Sequence, residues 1–469
     1  MFTRHGGAPS LDGAPVRSTA ARRWVAPVVV ACVLFAVYNA NGREITTADS
    51  QPTRFTVLAI LSQGTLRLDA VTAPIRAVVE QRPAFQRDRR GHFRSAYPVA
   101  PALLAAGLAL PWVKAGLIDL DAILAASLVA KLAASAIVAA AVALAFVIAR
   151  RRVSSFQAAL IAAGLGLGTN YWALASQTLW QHETVALGLL GGLALLAVPA
   201  ARLSAPRLAW GIAMLGLAAA ARPQVVVTVI ILSAWAVTRR RRWRDAWTLL
   251  PLFLMGAGVI YCNIAWFGHP LGATPRLEAL HETVHGVSGS FGHQPWMAAA
   301  GLLASPSRGL LVFSPIVLVA VAGLGAARRA DWDSELRWCA LGAAAQFAVY
   351  ASYSVWWAGH TYGPRYLLDV LPLLVPLAAA AMPAVACRRW ARAAAIAALA
   401  WSVTLAATGA FVYPAELWNS EPSEIDKDHA RLWDWKDPQF ARCWTTSADP
   451  RNFQLFTVDS VRRRAGTRP

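Results

Sequence analysis

Residues 121–149 read DAILAASLVAKLAASAIVAAAVALAFVIA, and Lys131 is the only charged residue after Asp121 in this stretch. About 20 consecutive apolar residues are enough for a helix that crosses a bilayer. Because irregular backbone cannot face lipid, we predict that this run is a transmembrane helix. Shorter apolar runs lie at 24–40, 97–113, 155–175, 184–200, 208–221, 223–238, 246–266, 308–327, 335–355, 366–386 and 390–411.

The composition places the whole chain in the membrane class. Of its 469 residues, 57% are hydrophobic and 15% are charged, whereas soluble domains carry about 25% charged residues. The net charge of +19 comes mainly from arginines that stand in short clusters between the apolar runs. Membrane topology explains such clusters, so we exclude nucleic acid as a partner. The sequence predicts an all-α polytopic membrane protein.

The arginine clusters predict the cytoplasmic loops, because such loops are enriched in Lys and Arg. An even number of crossings must therefore separate Arg23 from Arg150, yet three apolar runs lie between them. The run 97–113 contains three prolines, and its helix would span roughly 25 Å, short of the roughly 30 Å bilayer core. We predict that it is a juxtamembrane helix in the outer leaflet, which leaves eleven spans. The clusters lie at Arg22-Arg23, Arg150–Arg152, Arg202 with Arg207, Arg239–Arg244, Arg328-Arg329 and Arg388–Arg392.

This topology divides the chain into three parts. Residues 1–23 are predicted to be a disordered basic cytoplasmic N-terminus, and residues 24–411 form the membrane domain, with large outer loops at 41–120 and 267–307. Residues 412–469 form an extracytoplasmic tail that is too short for an ordinary domain, so we expect it to pack on the outer loops. Eight of the nine histidines fall on the outer side, where we expect any chemistry to occur.

The first outer loop carries two carboxylates close to the first apolar run. Glu44 and Asp49 lie in the segment YNANGREITTADSQPTR, residues 38–54. Carboxylates at a membrane surface suit a general base or a metal ligand. A solvated loop without a catalytic role is the alternative interpretation.

A second polar segment, SQTLWQHE at residues 176–183, joins two apolar runs on the outer side. Aromatic rings can stack on a sugar, and the polar side chains of Gln181, His182 and Glu183 can bind its hydroxyl groups. An aromatic belt at the membrane interface would explain the tryptophans, but it would not explain the run of Gln, His and Glu. We therefore favour substrate binding.

A third segment, YSVWWAGHTYGPRY at residues 353–366, contains His360, Tyr362 and Arg365 beside a Gly-Pro turn. The forked donors of an arginine suit a phosphate group. The alternative is an aromatic belt with a snorkelling arginine, or an Arg365 that pairs with Asp369 one helical turn along the chain. We favour phosphate binding.

Two further cations lie at unusual places. Arg222 stands at an outer tip between two apolar runs, where it breaks the pattern that the other clusters follow. Lys131 lies within the run 121–149, and an ionisable residue in a membrane indicates a functional site by default; snorkelling towards the outer face is the alternative. The segment SPSRGLLVFSP at 305–315 suits either an anion at a helix start or a simple helix cap.

This layout resembles the GT-C superfamily of membrane glycosyltransferases, near the protein mannosyltransferase and aminoarabinose transferase group. Members share an acidic residue in the first extracytoplasmic loop, juxtamembrane helices in that loop and a multi-span core. Asp49 matches the acidic position, and the run 97–113, which opens with Tyr97-Pro98, matches a juxtamembrane helix. No Asp-Glu or Asp-x-Asp pair is present at Asp49, and the second-loop acid would be Glu183. The use of a divalent metal is therefore open, and no cofactor is assigned.

The resemblance implies an inverting hexosyl or pentosyl transferase of the bacterial inner membrane. The donor would be a polyprenyl-phosphate sugar in the outer leaflet, and the acceptor a glycan, lipid or protein. Asp49 would be the catalytic base, and Arg365, with Arg222 or Lys131, would hold the leaving phosphate. The rival hypothesis is a transporter or flippase for a lipid-linked or anionic solute, which polar residues deep in several spans would favour. A scaffold whose tail binds a partner is a third option.

Overall fold

The protein is mostly helical, with 68% helix and 2% strand, which confirms the predicted all-α fold class. The computed structural model describes residues 20–122, 124–240, 243–292, 294–332, 334–412 and 416–457; residues 1–19 of the predicted N-terminal segment and 458–469 of the predicted tail lie outside them. The first part of the chain contains α1 (Ala20–Asn39), α2 (Gln51–Gln63), α3 (Arg76–Glu80), strands β1 (Phe85–Arg87) and β2 (Phe93–Ser95), α4 (Ala100–Lys114), α5 (Ala125–Ala149), α6 (Ser155–Leu167), α7 (His182–Leu196), α8 (Ala205–Ala221), α9 (Val226–Thr238) and α10 (Leu250–Phe267).

The second part begins with short helices and ends with the tail. It contains α11 (Thr274–Ala279), α12 (His281–His285), α13 (Pro295–Ala304), α14 (Leu310–Phe313), α15 (Leu318–Ala322), α16 (Leu324–Arg329), α17 (Glu335–Ala351), α18 (Leu371–Cys387), α19 (Arg389–Phe411), α20 (Glu416–Ser420) and α21 (Gln439–Trp444). The only sheet in the described residues is the antiparallel pair β1–β2, in which Phe85 lies opposite Ser95.

Three helices in the described residues are long and apolar enough to cross a membrane. They are Ala125–Ala149, Arg244–Phe267 and Arg389–Phe411. The other apolar helices have 10 to 17 residues, so helix length alone accounts for three crossings and not for the eleven that the arginine clusters predict. The fold therefore supports a helical protein with segments of membrane length.

The core is built around α5, whose inward face packs against α1 and α7. Helices α7 and α8 approach each other closely because α7 carries glycines at the contact. A Cβ atom at Gly188 would come within 2.7 Å of the Met214 carbonyl oxygen and 2.9 Å of Ala218. Small residues allow this kind of backbone approach between apolar helices. Helix α10, by contrast, is largely exposed along its length.

The predicted span 308–327 is not one helix. It is divided into α14, a short turn at Pro315–Val317, α15 and α16. The break follows Ser314, whose φ of −140° and ψ of 59° lie outside the helical region. A residue before proline is pushed away from the α conformation, so Ser314-Pro315 ends α14 in spite of the apolar sequence.

The first outer loop contains a helix that the apolar pattern did not predict. Helix α2 lies along α4, which occupies most of the predicted juxtamembrane run 97–113. The 15 residues of α4 span roughly 22 Å, less than the roughly 30 Å bilayer core. Phe55, Phe85 and Phe93 form a small apolar core within this loop.

The tail packs on the loops through one buried arginine. The Arg308 side chain, 1% exposed, donates to Asn419 Oδ1 at 2.8 Å and to Gln439 Oε1 at 2.7 Å. A second contact is the ion pair between Arg43 of the first loop and Asp449. The segment 305–315 therefore binds the protein's own tail through Arg308.

Candidate functional site

The site is centred on an ion pair between two of the predicted residues. One Asp49 oxygen, Oδ2, lies 3.0 Å from Arg365 Nη1, and the other, Oδ1, accepts a hydrogen bond from the Tyr97 hydroxyl at 2.9 Å. Asp49 stands just before α2, and Tyr97 just before α4. The structure thus brings together the segment before α2, the start of α4 and the third polar segment.

The electrostatics of Asp49 keep it ionised. Burial alone would raise its pKa, but the interaction with Arg365 and the hydrogen bonds from Arg365 and Tyr97 together lower it below the ordinary aspartate value. A smaller contribution comes from His285. The Asp49 side chain is 42% exposed, so the carboxylate is available to a ligand from solution.

Arg365 is held in a fixed position beside Asp49. It follows Gly363-Pro364, and its guanidinium lies over the rings of Trp180, at 4.7 Å, and Tyr366, at 5.5 Å. Its side chain is 10% exposed. Burial opposes its charge, but Asp49 outweighs this effect and the pKa of Arg365 is raised. The side chain is therefore a permanent cation with a fixed plane.

Arg365 and the segment 180–183 contain four buried polar atoms that have no hydrogen-bond partner among the described residues. They are Arg365 Nε, Trp180 Nε1, His182 Nε2 and Glu183 Oε2. Buried polar groups in native proteins are nearly always paired, so four such atoms in and beside one loop indicate a place where a polar ligand can bind. Of the second predicted segment, the structure thus brings Trp180 directly to the ion pair.

A second, fully buried network lies around Asp369. One oxygen of Asp369 is 2.7 Å from His182 Nδ1, and the other is 2.9 Å from Arg222 Nε and accepts from the Tyr350 hydroxyl. Arg222 Nη1 also donates to Gln181 Oε1 at 3.3 Å. Arg222, Gln181 and His182 are therefore occupied with each other and with Asp369, and not with Asp49.

This network contacts Arg365 indirectly, through aromatic rings. The Tyr350 ring, whose hydroxyl is bound to Asp369, stacks on Tyr366 with ring centres 5.1 Å apart and planes 10° apart. Tyr366 is one of the rings under Arg365. Asp369 therefore positions Arg365 through two aromatic rings, and it does not pair with Arg365 directly.

The predicted Arg365–Asp369 pair is accordingly wrong as an alternative. Residues 366–369 form a 3-10 turn, so Arg365 and Asp369 are not neighbours on one α-helical face. Arg365 instead reaches Asp49, 316 positions away in the sequence. The partner depends on how the loops meet, which helical spacing does not describe.

Glu44 and Lys131 belong to another network. Glu44 accepts from Arg54 and from the Thr178 hydroxyl, each at 2.5 Å. Lys131 donates to Gln177 Oε1 at 2.5 Å. These contacts fix the first loop to the second one, so neither residue is placed at the Asp49–Arg365 pair, and the expectation that Lys131 holds the phosphate is not supported.

His360 and Tyr362 are also separated from the ion pair. His360 lies 2.9 Å from Glu424 Oε2 and 3.4 Å from Asp426 Oδ2 of the tail. Tyr362 is fully buried, and its hydroxyl donates to the Leu405 carbonyl at 2.8 Å. A residue that is packed in this way contacts the core and not a substrate.

A cluster of histidines lies near the site, where α12, the segment 353–366 and the tail meet. Asp426 lies 3.0 Å from His285 Nδ1 and accepts from Trp357 Nε1 at 2.8 Å. Burial raises the pKa of Asp426, but these two hydrogen bonds and the interactions with His285 and His360 together lower it. The described residues contain no group of three or more His, Cys, Asp and Glu side chains that could hold a metal ion.

The comparisons with known proteins do not identify a family. No protein-family model matches the chain. No similar protein is found among the curated ones. The function is therefore argued from the chemistry of the site.

Proposed function

We propose that the protein is a membrane glycosyltransferase that moves a hexosyl or pentosyl group from a polyprenyl-phosphate donor to an acceptor hydroxyl at the outer membrane face. The observation that carries the proposal is the ion pair of Asp49 and Arg365, at 3.0 Å. A transfer of this kind needs a base for the acceptor and a cation for the leaving phosphate. Asp49 and Arg365 provide these two groups side by side.

Asp49 is the base. Its lowered pKa keeps the carboxylate ionised at neutral pH, its exposed fraction admits an acceptor, and the Tyr97 hydrogen bond fixes its direction. A base must lie within hydrogen-bond reach of the proton that it takes. A glycan, lipid or protein hydroxyl that binds the free side of Asp49 meets this condition.

Arg365 binds the phosphate. Its guanidinium is always charged and presents donors in a fork that fits phosphate oxygens. The rings of Trp180 and Tyr366 fix its plane, and its Nε has no partner among the described residues. The leaving group is an anion already, so stabilisation by a cation and not protonation is what it requires.

Transfer forms one bond and breaks one bond at the anomeric carbon. The acceptor oxygen forms a bond to the anomeric carbon while its proton passes to Asp49. The bond from the anomeric carbon to the phosphate oxygen breaks, and its electron pair leaves on the polyprenyl phosphate, beside Arg365. Attack from the face opposite the leaving group inverts the anomeric configuration.

Donor binding also activates the base. Arg365 is the main group that lowers the pKa of Asp49. When phosphate oxygens share the guanidinium, Asp49 loses part of this stabilisation and becomes more basic. The carboxylate is thus weakly basic in the free enzyme and more strongly basic once a donor is bound.

We place the protein in a bacterial inner membrane with eleven spans. The N-terminus then lies in the cytoplasm and the tail lies outside. Helices α2 and α4 would then lie on the outer leaflet and carry Asp49 and Tyr97 next to it. This supports a lipid-linked donor, because its phosphate would lie at the same depth as Arg365.

The test uses a deletion strain of the source organism that is complemented with variants of the full chain. We expect wild type to restore a missing sugar in the glycans, lipids or proteins of the envelope. Asp49→Asn should lower transfer by roughly 100-fold or more, the contribution of a general base. The matched control is Asp69→Asn, since Asp69 is another half-buried carboxylate of this loop, paired with His92 at 3.4 Å.

Equal complementation by the Asp49 and Asp69 variants would contradict the proposal. An envelope without any missing sugar in the deletion strain, together with loss of uptake or export of an anionic or lipid-linked solute, would favour the transporter hypothesis instead.

A further inference from the structure

An apolar groove lies between several helices, and neither Asp49 nor Arg365 lines it. Its volume is about 480 Å³, within the range of small-molecule sites. Helices α6, α18 and α19 form its walls, and α15 adds a fourth side. On α18 the lining residues repeat at helical spacing along one face: Leu371, Leu374, Val375, Ala378, Met382 and Val385.

The polar lining residues are gathered at one end. Ser154 and Gln157 lie at the start of α6, and Arg392 lies in the first turn of α19. The remainder is apolar apart from Thr169, whose hydroxyl donates to the Leu165 carbonyl at 2.5 Å and is satisfied. An amphiphilic molecule with one polar end has the same distribution of polar and apolar groups.

The polar end carries positive charge. The Arg392 side chain is exposed and has no ion-pair or hydrogen-bond partner among the described residues. Helix α19, of 23 residues, begins at Arg389 without a side-chain cap, so its first N–H groups add a partial positive charge. These groups are complementary to an anion.

The groove is separate from the proposed catalytic site. Asp49, Arg365 and Asp369, which supports Arg365, do not line it. The side chain of Asp369 is bound to His182 and Arg222. A ligand in the groove is therefore not the donor bound at Arg365.

We infer that this groove binds an anionic phospholipid, with an acyl chain along α18 and the phosphate at Arg392. From Leu371 to Val385 the groove follows α18 for roughly 21 Å, more than half of the roughly 30 Å bilayer core. A chain from one leaflet fits within it. By the predicted topology Arg392 faces the cytoplasm, so the lipid belongs to the inner leaflet.

The experiment measures lipid binding and not transfer, so its result is independent of the proposed function. The purified full chain is mixed with equal amounts of phosphatidylglycerol and phosphatidylcholine, and the retained lipids are counted by native mass spectrometry. We expect a preference for phosphatidylglycerol of roughly fivefold, the contribution of one interfacial arginine. Arg392→Gln should remove the preference, and Arg389→Gln, whose side chain does not line the groove, should keep it.

A second pair of variants tests the groove itself. Ala395 lines it and Ala394 does not, so Ala395→Trp should remove the bound lipid whereas Ala394→Trp should retain it. Equal retention of both lipids by wild type, or equal effects of the two arginine variants, would overturn the inference. Displacement of phosphatidylglycerol by an equal amount of undecaprenyl phosphate would overturn it too, since the groove would then belong to a polyprenyl chain.

Discussion

Asp49 and Arg365 change each other's chemistry, and this pairing was the part of the site that the sequence did not predict. Each residue was found from its own surroundings, a carboxylate after the first apolar run and an arginine after Gly-Pro. In the sequence, Tyr97 and Trp180, which fix the two side chains, are distinguished only as part of a helix start and of an aromatic segment. Contacts between loops depend on how the helices beneath them pack, and residue spacing within one loop does not contain that information.

Arg365→Lys should weaken use of the donor strongly although it keeps the charge. A lysine cannot reproduce the fork geometry or lie flat over Trp180, so we expect a large rise in KM for a polyprenyl-phosphate sugar and a smaller fall in kcat. Arg94→Lys is the control, because Arg94 also pairs with a carboxylate, Asp88 at 2.8 Å, and lies over a tryptophan, Trp266 at 4.5 Å. Equal effects of the two changes would show that Arg365 acts only on the fold.

The Asp49–Arg365 pair also predicts how stability depends on pH. The pKa of Asp49 is lower in the folded protein than the ordinary value of about 3.9. The unfolded chain therefore binds this proton first as pH falls, so the pair stabilises the fold above about pH 4 and its contribution is lost as pH falls through the lower folded pKa.

Thermal unfolding of wild type and Asp49→Asn between neutral and acidic pH measures this contribution. The difference between the two melting temperatures should be constant near neutral pH and should shrink in acid. A difference that grows in acid would mean that the folded pKa is raised. Because Asp49 is partly exposed, the whole effect is expected to be modest.

At the scale of elements, the apolar pattern predicts most helices but not their breaks. Each of the twelve runs contains a helix, whereas 308–327 breaks at Ser314-Pro315 because of the proline, and α2 was missed because its apolar content is modest. The signals for α2 were present in the sequence: Pro52 near its start, and Gly64 at its end with a φ of +64°. Residues that begin and end a helix therefore indicate α2, although the hydropathy of the segment does not.

The Gly363-Pro364 turn gives a prediction at this scale. Gly363 has a φ of +63°, and a Cβ atom there would lie 2.8 Å from both Asn170 Nδ2 and Phe313 Cδ1. Gly363→Ala should therefore displace the turn and Arg365 with it. Gly116→Ala is the matched control, since Gly116 has a φ of +72° and nothing within 4 Å of the added atom.

Both alanine variants should lose roughly 1–2 kcal/mol of unfolding free energy from the left-handed backbone. Only Gly363→Ala should lose more than this and also lose transfer activity. Denaturant unfolding and a transfer assay on the two purified variants make the comparison. Equal stability and equal activity would show that Asn170 and Phe313 can move aside, and that the turn does not fix Arg365.

At the scale of the whole molecule, the tail packs against several loops. Arg308 binds Asn419 and Gln439, and the His285–Asp426 contact lies near enough to Asp49 to affect its pKa. The tail's place on the loops could be expected from its length, but the buried arginine that holds it could not be distinguished from a helix cap in the sequence. The tail therefore lies near the proposed site without contributing a residue to it.

The side of the membrane on which α4 ends can be tested by labelling single cysteines. The arginine clusters require that α4 does not cross, and its 15 residues are too few for a straight span. In a chain whose five cysteines are replaced, Leu117→Cys, an exposed position just after α4, should react with a membrane-impermeant maleimide in intact cells. Asp331→Cys, after the Arg328-Arg329 cluster, should react only after the membrane is opened. If Leu117→Cys also required an opened membrane, α4 would end in the cytoplasm and the eleven-span topology would be wrong. That topology would then no longer place Arg365, which follows α4 in the chain, beside a donor in the outer leaflet.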